Sequence, residues 1–216
     1  TKGDLDAVMI PALDGIILPK SETAEDIREI ADLITAAEQE SGVGRGTTAV
    51  IPLIESAKGI ENAYRIASEK TEPQRVLTLA FGASDFTVDL GIEMTRDGTE
   101  LLYARSRLVI ACRSAEKNPP LDTPFLIDLK DEEALKSDAM RAKQLGFQGK
   151  LCIHPNQIEI CNRIFSPTPE QIARAEKIQA AFQEAEAKGL GAIQVDGRFV
   201  DLPEVLRAKQ ILGSKK

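Results

Sequence analysis

Ala49-Val50-Ile51-Pro52-Leu53-Ile54-Glu55-Ser56-Ala57-Lys58-Gly59 is the stretch from which the fold is read. An unbroken apolar run stops at a carboxylate, and a serine able to cap a helix follows at once. Half-wet strands alternate apolar and polar residues, whereas strands buried on both faces of a parallel sheet are apolar throughout. The run at 49–54 is of the second kind. The helix after it spans about residues 57–68.

The same unit recurs outward in both directions. Residues 15–20 form a short apolar run ending at Lys20. Ser21 or Thr23 then caps a helix that reaches about Gln39, with Ile27, Ile30, Ala31 and Ile34 on one face. Further strands are expected at 76–81, 124–129 and 150–153. Helices are expected at 99–114, 132–145 and from Pro155 onward. Strands that alternate with helices define an α/β class with a parallel sheet. Five such units precede Pro167, enough for an open sheet or for part of a barrel. Beyond Pro167 a helix is expected at 170–188. Gly189-Leu190-Gly191 reads as a hinge. A hairpin turning at Asp196-Gly197 spans 193–200, and a last helix covers 203–212.

Composition narrows the function. The 216 residues carry 27 Lys and Arg against 34 Asp and Glu, a net charge of −7, which disfavours a nucleic-acid binder. Aromatics are 4% and tryptophan is absent, so base-stacking surfaces have little material. No apolar run is long enough to span a bilayer. Three cysteines and one histidine leave no disulfide framework and no zinc set, and a cytoplasmic setting is expected. The chain starts Thr1-Lys2-Gly3 rather than with methionine, from which a fragment or processed product is expected.

Candidate chemistry gathers where strands end. Glu55 and Asp85 each follow an apolar run on what should be consecutive strands, at the edge where parallel α/β proteins build their sites. Two carboxylates there suit Mg2+, a hard cation with oxygen ligands. The plainer alternative is that each acid solvates a loop or caps a helix. Lys20 on the same edge could hold an anion or simply be solvated. Gly42, Gly44 and Gly46 follow a helix and precede a strand, the wrong order for a dinucleotide loop, and read as a flexible connection. His154 is a candidate base but reads better as a hydrogen-bonding residue. Asp196 is first of all a turn residue.

In series these segments resemble the citrate lyase beta-subunit and malyl-CoA lyase family of the HpcH/HpaI aldolase-like superfamily. The motifs are 17–20, 52–59, Phe81-Gly82-Ala83-Ser84-Asp85-Phe86 with Asp89-Leu90-Gly91, residues 153–157, and 195–201 with Pro203. The resemblance implies a (β/α)8 TIM barrel of which this chain holds strands 4–8 in residues 1–166. A C-terminal lid would occupy 167–216, and the three preceding strands would be missing together with their substrate-gripping arginine. It implies Mg2+ on Glu55 and Asp85, a 2-keto-acid carboxylate against Gly82, Ala83 and the Glu55-bound metal, and Asp196 as the catalytic acid. The implied reaction cleaves a 3-hydroxyacyl-CoA thioester into acetyl-CoA and a 2-keto acid in a homo-oligomer, a trimer by preference, with the lid of one subunit over another. An aldolase for free 2-keto acids and a non-catalytic acyl-CoA-binding subunit of a lyase complex remain alternatives.

Overall fold

The computed structural model describes residues 2–187 and 189–213, so Thr1 and the expected helix end at Lys188 lie outside the described residues. Contacts divide the chain into two compact units, Thr1–Asn162 and Arg163–Lys216, a division slightly ahead of the boundary expected at 166.

In the first unit, α1 (Lys2–Val8) leads into β1 (Gly15–Leu18), α2 (Ala24–Ser41), β2 (Ala49–Ile54), α3 (Ala57–Ser68) and β3 (Ala80–Phe81). Then come α4 (Ala83–Leu90), a 3-10 turn at Thr99–Leu101, α5 (Leu102–Ser114), β4 (Leu121–Asp122), α6 (Glu132–Leu145), β5 (Gly149–Lys150) and α7 (Pro155–Phe165). The five strands pair parallel in the order β1-β2-β3-β4-β5. Helix starts are encoded locally. Thr23 accepts from the Asp26 N–H while Asp26 reaches back to Thr23, a capping box, and Ser56 accepts from the Gly59 N–H.

One face of the sheet is packed. Val50 and Ile54 are fully buried, and Val50 joins Ile30, Ile34, Ala37, Leu5 and Met9 in a cluster under α1 and α2. The other face is not closed among the described residues: Ala49, Ile51 and Leu53 are half-buried and Ile17 is 44% exposed. The two-sided coverage read from the apolar run at 49–54 is therefore only half present.

The third, fourth and fifth strands depart from expectation, the fifth being Gly149–Lys150 instead of 150–153, and one helix is additional. The strand at 76–81 shortens to Ala80–Phe81, with only a single bridge from Val76 to Val50 before it. The fourth strand is not 124–129 but Leu121–Asp122. Residues 124–129 form a loop, and Pro124 at its start has no N–H for a ladder. The apolar Phe125-Leu126-Ile127 segment outweighed Asp122 in the pattern, yet Asp122 is the strand residue, fully buried and paired with two cations. Helix α4 was not expected at all, and it moves Asp85 from a strand end to the first helical turn.

Two buried ion networks lock the unit. Arg75 donates from both Nη atoms to the Glu38 carboxylate at 2.9 and 2.8 Å, and the Gly46 and Thr48 N–H groups donate to the same carboxylate. The Gly42–Gly46 loop, expected as a flexible connection, is thus pinned around Glu38. Around β4, Arg105 donates in bidentate fashion to Asp122 and once to Asp138, and Lys150 donates to both carboxylates. Burial alone would raise the Asp138 carboxyl, but Lys150 and Arg105 outweigh it and hold the group below the usual carboxylate range.

The second unit contains α8 (Pro169–Glu186), the antiparallel hairpin β6 (Ile193–Val195) and β7 (Arg198–Val200), and α9 (Leu202–Gly213). Beyond Gly189-Leu190-Gly191 the hairpin and last helix fold back onto α8 of the same unit. Val195, Val200, Val205 and Ala208 pack with Ala175, Ile178 and Phe182 of α8, and Ile193 and Ile211 lie against that cluster. Phe199 (69% exposed), Leu202 (55%) and Leu206 (49%) of the hairpin and last helix stay open.

Candidate active site

The registers of β2 to β5 place the residue after each of these four strands in a single row. Ile54 pairs with Phe81, Ala80 with Leu121, and Asp122 with Lys150. The next residues along are Glu55, Gly82, Thr123 and Leu151. All four line a cavity of about 280 Å³ together with Ser84 and Asp85. Glu55 and Asp85, singled out on separate segments of sequence, are brought together at one mouth.

Glu55 is held from two sides. The Lys20 main-chain N–H donates to Glu55 Oε1 at 2.7 Å. Lys20 adopts φ of 53°, so the chain takes a left-handed turn to present that amide. On the other side a Cβ at Gly82 would lie 2.8 Å from both Glu55 Cβ and Oε2. Glycine is required there because the Glu55 side chain lies across the end of β3. The Lys20 ammonium, considered as an anion holder, is solvent-exposed; its main-chain amide acts instead.

Similar ties join neighbouring loops around this edge. The Ala57 N–H donates to Asp89 Oδ2 at 2.7 Å. The Ala83 N–H donates to Thr123 Oγ1 at 3.0 Å. Buried Gln157 donates to the Phe125 carbonyl at 2.8 Å and accepts from the Ile153 N–H at 3.0 Å. His154 Nδ1 accepts from the Asn156 N–H, a hydrogen-bonding role at the start of α7.

The Gly82-Ala83 backbone, expected to hold a substrate carboxylate, is already engaged: Gly82 donates to the Ile54 carbonyl at 2.9 Å and Ala83 to Thr123. The amides left without an acceptor among the described residues are those of Ser84 and Asp85, in the uncapped first turn of α4. A helix start with free N–H groups favours an anion. These amides lie one or two residues along the chain from Gly82 and Ala83.

Asp196 belongs to the second unit. It takes φ of 49° at the hairpin turn, followed by Gly197 at 75°, and its carboxylate pairs with Lys177 of α8. No group of three or more His, Cys, Asp or Glu forms a metal cluster among the described residues. Two carboxylates with room for solvent and substrate oxygens are what Mg2+ tolerates, since it usually keeps several waters. Sequence reasoning missed Thr123, because its strand was placed too late. With β4 at Leu121–Asp122, Thr123 occupies the strand-end position that Glu55 occupies after β2.

A parallel α/β sheet with two carboxylates lining a cavity at its C-terminal edge is the arrangement on which enzymes of this architecture build their sites. The model of the HpcH/HpaI aldolase/citrate lyase family matches residues 1–155. The citrate lyase subunit beta of Leuconostoc mesenteroides subsp. cremoris is 41% identical over 211 residues, 98% of this chain and 68% of that protein. The mitochondrial citramalyl-CoA lyase of Mus musculus is 34% identical over 213 residues, 96% of this chain and 62% of that protein. The structure of protein CitE from Mycobacterium tuberculosis, in complex with magnesium, acetoacetate and coenzyme A, is similar with a TM-score of 0.72 at 28% identity, covering 98% of this chain and 72% of that one. The chain belongs to the HpcH/HpaI aldolase/citrate lyase family of carbon–carbon lyases, as its motifs implied. No helix among the described residues is long and apolar enough to cross a membrane.

Proposed function

We propose that this chain is a Mg2+-dependent lyase that cleaves a 3-hydroxyacyl-CoA thioester, of the malyl, citramalyl or citryl type, into acetyl-CoA and a 2-keto acid. The observation that carries this reading is the meeting of Glu55 and Asp85 in one cavity beside the free amides of α4. Magnesium, when bound, would neutralise charge developing on the carbonyl oxygen as the carbon–carbon bond breaks. Glu55 and Asp85 would hold it, with Glu55 kept in place by the Lys20 amide and by the close approach of Gly82. The Ser84 and Asp85 N–H groups would receive the substrate carboxylate. As the hydroxyl carbon becomes a carbonyl, the hydroxyl loses its proton and the departing acetyl carbon gains one. Asp196, having taken up the proton that the hydroxyl releases, is the acid proposed to pass it to the acetyl carbon. To do so it must leave Lys177.

On the same reading the five strands are strands 4–8 of a (β/α)8 barrel, and the half-open face with Ile17, Ile51 and Leu53 belongs to its interior. The lid of one subunit serves the cavity of another, which requires an oligomer, with a trimer favoured.

The test is direct. Purified protein is offered malyl-CoA, citramalyl-CoA and citryl thioesters with Mg2+ or with a chelator, and acetyl thioester and keto acid are followed by mass spectrometry. Metal-dependent cleavage is expected. Turnover of free hydroxy keto acids alone would instead establish an aldolase, and tight binding without cleavage an acyl-CoA-binding subunit.

A further inference from the structure

We infer that Thr123 selects the ligand in this cavity, its hydroxyl donating a hydrogen bond to an anionic oxygen of the bound 2-keto acid. The inference rests on the functional reading above and adds to it a residue that the motifs do not contain.

Thr123 is 3% exposed and lines the cavity with Glu55 and Asp85. Its Oγ1 accepts the Ala83 N–H at 3.0 Å, but a hydroxyl also carries one donor, and that hydrogen has no acceptor among the described residues. A buried hydroxyl donor is costly to leave unused, and Thr123 borders the cavity in which a ligand would sit. Accepting from Ala83 polarises the O–H and makes it a better donor.

The group is also held still. Its neighbour Asp122 is fixed through the side chain by Arg105 and Lys150, and through its carbonyl by the Leu151 N–H at 2.9 Å. A donor on so rigid a strand end loses little freedom on binding. This gives the buried four-charge network a function at the site: it sets the height at which Thr123 meets the ligand.

The experiment titrates Mg2+-loaded protein with pyruvate and with oxaloacetate by calorimetry, and measures Mn2+ affinity separately. One hydrogen bond to a charged acceptor corresponds to roughly a 10- to 100-fold change in affinity. T123V should therefore weaken keto-acid binding by about that factor while leaving Mn2+ affinity within about 2-fold. T123S should restore keto-acid affinity to within about 3-fold of wild type. Should T123V fail to fold, T123C, with a weak donor of similar shape, replaces it in the comparison. Keto-acid affinity unchanged in T123V overturns the inference. So does a parallel loss of Mn2+ affinity, which would make Thr123 only a support for α4, and so does failure of T123S to recover. Wild-type protein that binds no keto acid in the presence of Mg2+ overturns the functional reading itself, and the inference falls with it.

Discussion

The main-chain N–H of Lys20 and the Oε1 of Glu55 lie 2.7 Å apart, and this bond joins the loop after β1 to the carboxylate after β2. It is the first of the ties that fix the cavity's rim. Because a carboxylate oxygen accepts it, the bond is charge-assisted and stronger than a neutral pair. In the proposed site Glu55 would meet the metal with one oxygen oriented in advance, and the second lies over Gly82.

Gly82→Ala should displace that carboxylate. The added methyl would sit 2.8 Å from Glu55 Cβ and Oε2, closer than side chains approach. Overpacking of this kind costs about 1–3 kcal/mol. We expect a drop of that size in unfolding free energy and at least about a 10-fold loss of Mg2+ affinity, both measurable by urea titration and calorimetry.

Asp85→Asn should separate metal binding from folding. Asp85 is exposed and takes no hydrogen bond from the described residues. Surface changes of this type stay within about 0.5 kcal/mol. Metal-dependent turnover should be lost while the melting temperature holds. A variant that keeps full Mg2+ affinity would remove Asp85 from the ligand set.

The Glu38–Arg75 pair predicts an acid-sensitive core. Burial would push the Glu38 carboxyl up, but Arg75 and the Gly46 and Thr48 amides bring it from 4.5 to about 2. A depressed carboxyl contributes its stability above the unfolded value and loses it as pH falls from about 4.5 toward 2. The shift corresponds to about 3 kcal/mol. Denaturant titrations at pH 6, 4 and 3 should show wild type losing stability across this range relative to Glu38→Gln. That variant should already be weaker by about 3–5 kcal/mol at neutral pH, because it leaves Arg75 buried and uncompensated. Equal pH slopes would contradict the assignment.

Asp196 calls for a variant that respects its backbone. Its φ of 49° favours asparagine over alanine as the replacement. Asp196→Asn keeps the turn and removes the acid. Its ion pair with Lys177 is 59% exposed on both sides and worth at most about 1 kcal/mol, so stability should barely change. Turnover should fall by at least about 10²-fold if the group is the acid. Mixing Asp196→Asn with Glu55→Ala subunits should recover part of the activity if the lid serves a neighbouring subunit. Re-formed hybrids without recovery would confine Asp196 to its own chain or to its turn.

Local patterning by itself determined the repeating α/β unit, most clearly at β2, Glu55, Ser56 and α3. An apolar run, a polar stop and a cap are all read within about a dozen residues. The same short range made the Asp196-Gly197 hairpin and helix α6 legible. It also placed Glu55 and Asp85 on one edge, since consecutive parallel strands are usually neighbours. Only the tertiary structure decided the rest. Asp122 became a strand residue because Arg105 and Lys150, 17 and 28 positions away, neutralise it in the core. The Gly42–Gly46 loop is ordered because Arg75 reaches Glu38 across 37 positions. Ala83 lost its free amide to Thr123, 40 positions on. The polarity of Asp122, Glu38 and Thr123 argues locally for solvent. Partners distant in sequence reversed that preference, because a buried charge or hydroxyl is stable only where the fold brings its counterpart within hydrogen-bond reach.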